Sequence, residues 1–217
     1  MSTETADLEP TLVSGMTSAE LACALPALAT AFTEDAQAQA LVWRDWLSRW
    51  ITAWDHYDIE AVLALMTDDV VLEDPGLCGQ PAVGRSELRE AVTTLLRAFP
   101  DVRWEIAGTP HLAIAGTGVA IPWRMRGTFA GDMGGGCSPL GIAPTGRRFD
   151  NHGIDLYELR DGLLCRWTST FDLLDLGRQF GMLPDPRGRL FRFGIRIQRS
   201  IAPLLRTWYR FRDHRAR

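Results

Sequence analysis

The chain of 217 residues is long enough for one globular domain with extensions, and its 46% hydrophobic content excludes a disordered polymer. All 23 basic residues are arginine, and the formal net charge is -4. Residues 185–217 hold ten arginines and two acids, a charge of +8, so the remainder carries -12. That remainder offers no basic surface, and we expect no nucleic-acid partner.

Cysteine usage and the start of the chain bear on the cell compartment. The four cysteines are scattered, without the paired spacing of a metal site or a disulfide framework. The first residues lack the basic segment of a signal peptide, and no run of about 18 apolar residues is present. We therefore expect a cytoplasmic protein that holds neither metal nor cofactor.

Helical patterns dominate the first half. Trp43, Trp46, Trp50 and Trp54 recur at intervals of three and four, which predicts one face of a helix. Asp58 is a candidate N-cap for a short second helix. A third helix is predicted with Ser86 as its N-cap, ending before Pro100.

The second half is strand-like. A Gly/Pro-rich stretch from Gly131 to Gly146 is too long for a tight hairpin and is predicted to fold over a pocket mouth. Helices followed by strands indicate an α+β fold. We expect a cone-shaped, curved antiparallel sheet with three helices that enclose a pocket. The predicted strands are 103–107, 111–115, 118–128, 148–159 and 163–171.

Two isolated acids lie in apolar, strand-like segments. Asp74 precedes Pro75 at the end of one segment, and Asp155 interrupts the other. Carboxyl groups in apolar surroundings acquire shifted pKa values, and two of them in one pocket suit proton transfer. Each also has a structural interpretation, because Asp74 can cap a turn and Asp155 can pair with Arg148 or Arg166.

The motif around the first acid resembles a known family. Residues 66–76, MTDDVVLEDPG, are similar to the corresponding run in bacterial steroid Δ5-3-keto isomerases of the nuclear transport factor 2-like superfamily. The resemblance implies that Asp74 is the general base and that neutral Asp155 donates a hydrogen bond to the dienolate oxygen. The family's catalytic tyrosine position falls on Trp50, whose indole donates but lacks the acidity of a phenol.

Later motifs resemble another branch, the SnoaL-like polyketide cyclases. They are APTGRR at 143–148 and FDLL with RQFGMLP within 171–184. In those cyclases the acid/base aspartate lies where this chain has Ser169, and the cyclase histidine corresponds to Asp155. Limonene-1,2-epoxide hydrolases also have a catalytic aspartate at the Ser169 position. Because a serine needs a partner to act as a base, only the isomerase-like pair is retained.

These resemblances imply an isomerase-like or cyclase-like enzyme that transfers protons on a hydrophobic, ring-containing ketone such as a steroid or polyketide. A non-catalytic ligand-binding or dimerisation module of the same fold stays open as the alternative. Asp74 and Asp155 are the predicted catalytic residues. The predicted substrate-binding residues are Trp50, Trp54, Tyr157, Trp167, Ser169 and Phe171.

We expect three segments: a partly helical extension over 1–40, a SnoaL-like domain over 41–184 and a basic amphipathic tail over 185–217. The tail is predicted either to contact an anionic membrane surface through 190–212 or to dock on a partner subunit. The family resemblance implies a homodimer, with His152 at the interface because strand alternation turns it away from Asp155.

Overall fold

The computed structural model describes residues 40–113, 117–134 and 141–215. Almost all of the N-terminal extension, and residues 135–140 of the Gly/Pro-rich stretch, lie outside the described residues. The helices are α1 (40–55), α2 (Ile59–Ala64), α3 (Gly84–Ala98), α4 (Leu173–Gln179) and α5 (Arg189–Arg215). The strands are β1 (Met66–Glu73), β2 (Ala82–Val83), β3 (Arg103–Ile106), β4 (His111–Leu112), β5 (Gly118–Thr128), β6 (Arg148–Arg160) and β7 (Leu163–Phe171).

Helix α1 buries the predicted tryptophan face. Trp43, Trp46 and Trp50 are almost fully buried and Trp54 is half-buried. The rings of Trp46 and Trp50 stack with centroids 4.9 Å apart. The Trp46 indole donates to the carbonyl of Leu65 at 3.3 Å, which fastens α1 to the chain just before β1.

The N-terminal ends of α2 and α3 test two predicted caps. The Asp58 side chain accepts a hydrogen bond from Ala61 N at 3.0 Å, so this prediction is confirmed. The Ser86 prediction is wrong, because α3 begins at Gly84, whose φ of +79° suits glycine. The backbone N–H of Val83, the N-cap, instead donates to the carboxylate of Glu87 at 2.8 Å.

The strands form one sheet in the order β2-β1-β7-β6-β5-β3, with β4 also paired to β5. All of its pairs are antiparallel except β1 with β7, which run parallel, so the sheet is mixed rather than wholly antiparallel. The parallel pair joins the first strand, β1, to the last strand, β7, after all the other strands have formed in chain order. The α+β class is confirmed.

Two groups of buried side chains form the core. One contains the α1 tryptophans together with Tyr157 of β6. The other is phenylalanine-rich and contains Phe99, Phe129, Phe149 and Phe180. Residues of both groups line the same cavity, which lies where the inner face of the sheet meets the helices.

Candidate functional site

The cavity has a volume of about 350 Å³, in the range of small-molecule sites. Most of its lining is apolar, with aromatic rings on several sides. Both predicted catalytic residues and all six predicted substrate-binding residues contribute to the wall. These are Asp74, Asp155, Trp50, Trp54, Tyr157, Trp167, Ser169 and Phe171.

Asp74 follows the last residue of β1 and combines two features that the sequence offered as alternatives. Its Oδ1 accepts a hydrogen bond from Gly76 N at 2.6 Å and so caps a short 3₁₀ helix, Pro75–Leu77. The same carboxyl group lines the cavity. The pKa of Asp74 is raised to about 6. Burial is the main cause, the hydrogen bond from Gly76 opposes the rise, and the nearby charge of Asp155 contributes a smaller part of it.

Asp155 lies in the middle of β6 and is 2% exposed. Strand alternation buries it with Tyr157 and exposes His152, as the sequence pattern predicts. The Trp123 indole donates to Asp155 Oδ1 at 2.7 Å, and the Tyr157 hydroxyl donates to Oδ2 at 2.7 Å. Burial raises the pKa of Asp155, and hydrogen bonds from Tyr157, Ser169 and Trp123 oppose that rise.

Asp155 does not form the arginine pair that was its structural alternative. Arg166 instead contacts Glu73 on the outer surface, with Nη1 and Oε1 3.1 Å apart. Within the described part of the chain, the strong contacts of Asp155 are neutral donors. A neutral donor steadies the carboxylate without supplying a full compensating charge, which is why burial still dominates the pKa.

Trp123 was not predicted as a site residue. It lies on β5 directly opposite Gly153 of β6. A Cβ at Gly153 would lie 2.3 Å from Trp123 Cζ2 and 2.6 Å from the Thr170 carbonyl oxygen. The absent side chain therefore lets the indole lie across β6 and reach Asp155. The glycine two residues before Asp155 was the available signal, but it needed the strand register to be interpreted.

Ser169 of β7 lies directly opposite Asp155 in the β6–β7 ladder. Its hydrogen bond is one of those that lower the pKa of Asp155. Trp167, two residues earlier on β7, also acts on this carboxyl group. Its buried Nε1 nevertheless lacks a hydrogen bond of normal geometry among the described residues.

Tyr157 supplies a phenol hydroxyl where Trp50 cannot. Its ring is 1% exposed and meets the Trp50 ring edge-on, with centroids 5.7 Å apart. Burial, and then the charge of Asp155, raise the pKa of Tyr157 well above its usual value. The hydroxyl therefore stays protonated at neutral pH and remains a hydrogen-bond donor.

Other candidate groups lie away from the cavity. His152 is exposed on the opposite face of the sheet, with Nε2 3.9 Å from Asp150 Oδ1. Throughout residues 40–113, 117–134 and 141–215, no three histidine, cysteine or acidic side chains cluster closely enough to hold a metal ion. The polar groups that line the described cavity are the carboxyl groups of Asp55, Asp74 and Asp155, the hydroxyls of Thr94, Ser169 and Tyr157, and indole N–H groups.

Comparison with known protein families identifies the domain that contains this cavity. A family model described as "SnoaL-like domain" matches residues 47–167, a range that contains both Asp74 and Asp155. The chain belongs to the SnoaL-like family. No curated protein is significantly similar to it in sequence.

Solved structures share the SnoaL-like fold. AclR of Streptomyces galilaeus, for which a hydroxylase role has been suggested, is 19% identical with a TM-score of 0.53, over 76% of this chain and 95% of AclR. A SnoaL-like protein of Jannaschia sp. CCS1, suggested to be a polyketide cyclase, is 19% identical with a TM-score of 0.55, over 66% and 94%. A ketosteroid isomerase-like protein of Catenulispora acidiphila, in complex with trimethylamine, is 18% identical with a TM-score of 0.50, over 64% and 93%.

At these identities the likeness shows a common fold and does not define a substrate. The family match identifies the chain as SnoaL-like, and the solved structures show that it shares their fold.

Proposed function

We propose that the protein is a cofactor-free proton-transfer enzyme of the isomerase or cyclase type. Its substrate would be a hydrophobic, ring-containing ketone such as a steroid or a polyketide. One observation carries the proposal: Asp74 and Asp155, both with raised pKa values, line one cavity whose wall is otherwise largely apolar and aromatic. Paired carboxyl groups in such surroundings suit acid–base chemistry.

Asp74 is the proposed base. A pKa of about 6 leaves roughly nine-tenths of this carboxyl ionised at pH 7, yet makes it a stronger base than an ordinary aspartate. Oδ1 is held by Gly76 N, which fixes the orientation of the group. Oδ2 is then the oxygen that takes a proton from the carbon next to the substrate carbonyl.

Asp155 is the proposed oxyanion donor. The Trp123 N–H can only donate, so Oδ1 must accept, and the proton of neutral Asp155 belongs on Oδ2. The Tyr157 hydroxyl beside Oδ2 can donate or accept, and so tolerates that proton. Two carboxyl groups near one another favour sharing a single proton. We assign that proton to Asp155 and leave Asp74 ionised, as the resemblance to the isomerases implies.

The reaction balances without a redox partner. The C–H bond breaks as its proton moves to Asp74, and the electron pair forms an enolate whose oxygen accepts a hydrogen bond from Asp155. In an isomerase Asp74 returns the proton to a different carbon. In a cyclase the enolate carbon bonds to a second carbonyl carbon of the same molecule, the π pair of that carbonyl becomes an alkoxide, and the alkoxide takes the proton held by Asp74.

Deuterium exchange tests the proposal before the natural substrate is known. The protein is incubated in D₂O with a Δ5-3-ketosteroid or with an aromatic polyketide ketone, and deuterium uptake next to the carbonyl is followed by mass spectrometry. Asp74→Asn should lower the exchange rate by about a hundred-fold or more. Asp155→Leu should also lower it, whereas Asp172→Asn, a change at the exposed N-cap of α4, should not.

If both cavity variants exchange deuterium as fast as the wild-type protein, the assignment of these two residues is wrong. A wild-type protein that binds the ketones but exchanges no deuterium would instead be the non-catalytic ligand-binding module. One observation favours that second function: the indole of Trp50 presents an apolar ring, stacked on Trp46, at the position where related isomerases have a tyrosine.

A further inference from the structure

Helix α5 (Arg189–Arg215) is an amphipathic helix of 27 residues, about 40 Å long. It continues through Pro203. None of its described side chains is buried, although many are large and apolar. Leu204 is 72% exposed and Leu190 is 69% exposed. So large an exposed apolar surface indicates that another surface covers this helix.

The helix separates its apolar and basic residues onto different sides. Leu190, Phe193, Ile197, Ile201 and Leu204 follow one another at intervals of three and four, so they share one stripe. The arginines of the described helix, at positions 189, 192, 196, 199 and 206, share a second stripe on the side away from the first. All ten of these side chains are exposed.

Helix α5 carries charge of one sign over most of its length. Residues 189–212 contain seven arginines and no acidic residue. Arg192 and Arg196 are four residues apart, and Arg196 and Arg199 are three apart, spacings at which like charges repel along a helix. Gly194 and Pro203 lower the helix propensity further. An anionic surface would relieve the repulsion, and burial of the apolar stripe would favour the helix.

We propose that α5 lies in the surface of an anionic phospholipid bilayer. An embedded helix keeps its apolar stripe among the acyl chains, and the long arginine side chains of its other side reach the surrounding headgroup phosphates. The α5 helix of a second copy would bring no acidic residue to these arginines, because residues 189–212 contain none. Among the described residues, no helix is long and apolar enough to cross a bilayer.

The position of α5 along the chain connects this surface with the cavity. Met182 and Leu183 line the cavity and are also 43% and 39% exposed, which places them at its rim. Helix α5 starts six residues after Leu183, so its first turn lies within about 20 Å of that rim. A bilayer bound by α5 would therefore lie close to an apolar opening, which suits a ligand that partitions into lipid.

Vesicle flotation of the full chain tests the charge requirement. The probes are vesicles of phosphatidylcholine alone and of equal parts phosphatidylcholine and phosphatidylserine, at low and high salt. We expect binding only to the anionic vesicles, weakened by salt. Arg196→Glu with Arg199→Glu should reduce the affinity by about twenty-fold or more. The matched control, Arg44→Glu with Arg49→Glu at two exposed positions of α1, should reduce the affinity far less.

A second pair of variants tests the apolar stripe. Ile197→Gln with Ile201→Gln should weaken binding by about ten-fold or more for each residue. The matched control removes as much exposed apolar surface from β6, through Ile154→Gln with Leu156→Gln, both 47% exposed. Because α5 packs little on the rest of the chain, near-ultraviolet circular dichroism of the tryptophan core should be unchanged in the α5 variants.

Three results would overturn the proposal. One is failure of the wild-type chain to float with anionic vesicles, and another is equal binding to neutral vesicles. The third is a dimer in solution that the stripe substitutions dissociate, with no vesicle binding, which would make a second copy the occupant. Binding to anionic vesicles that both α5 variants lose and both controls retain would support it.

Discussion

Replacement of Asp74 by asparagine should make the protein more stable at neutral pH. Asparagine has nearly the same shape, and its Oδ1 can accept the same hydrogen bond from Gly76 N. The substitution therefore preserves the cap and removes only the ionisable group. Any effect that depends on pH can then be attributed to the Asp74 proton.

The magnitude follows from the pKa. Burial raises the pKa of Asp74 from 3.8 to about 6, so the folded state holds this proton more tightly than the unfolded chain does. The resulting stability is complete below about pH 4 and is lost as the pH rises through 6. A difference of about two pKa units corresponds to about 3 kcal/mol of unfolding free energy.

Urea unfolding at a series of pH values measures this effect. The free energy of unfolding of wild type minus that of Asp74→Asn should fall by about 3 kcal/mol between pH 4 and pH 7, then level off. Asp58→Asn, the same exchange at a helix cap that does not line the cavity, supplies the baseline. If this difference in unfolding free energy does not change with pH, or increases with pH, desolvation does not oppose the ionisation of Asp74.

Three further results are expected from the cavity. Gly153→Ala should cost more than about 1–3 kcal/mol in urea unfolding because its Cβ would overlap Trp123, whereas Gly194→Ala, with open space around it, should not destabilise. Trp123→Phe should raise the pKa of Asp155 further, observable by carboxyl ¹³C NMR, because it removes one of the hydrogen bonds that lower it. In the exchange assay, kcat/KM should rise with pH through about 6 as Asp74 ionises; no change across this range would exclude Asp74 as the base.

Local periodicity predicted much of the cavity wall. Intervals of three and four identified the buried face of α1, and alternation along β6 grouped Asp155 with Tyr157. These patterns succeed because a helix and a strand each repeat at a fixed interval, so a single segment carries the information. The roles assigned to Asp74 and Asp155 remain predictions.

Features that depend on pairing between distant segments could not be predicted from the sequence. The contact of Trp123 with Asp155 requires the register of β5 against β6, and no local signal fixes that register. The parallel run of β1 beside β7 likewise depends on the path of the whole chain. Ser86 was chosen as a cap from its residue type, while the helix began at Gly84, where a positive φ decides the entry of the chain.

The parallel pairing of β1 with β7 also sets the order in which the protein can become competent. Met66 and Leu164 are partners although about a hundred residues separate them, and closing so long a loop is slow compared with forming a hairpin. Asp74 leaves β1 on one side of this seam, and Ser169 lies on β7 on the other. A chain emerging from the ribosome therefore has no complete cavity until its last strand is added, because Trp167, Ser169 and Phe171 of β7 form part of the wall.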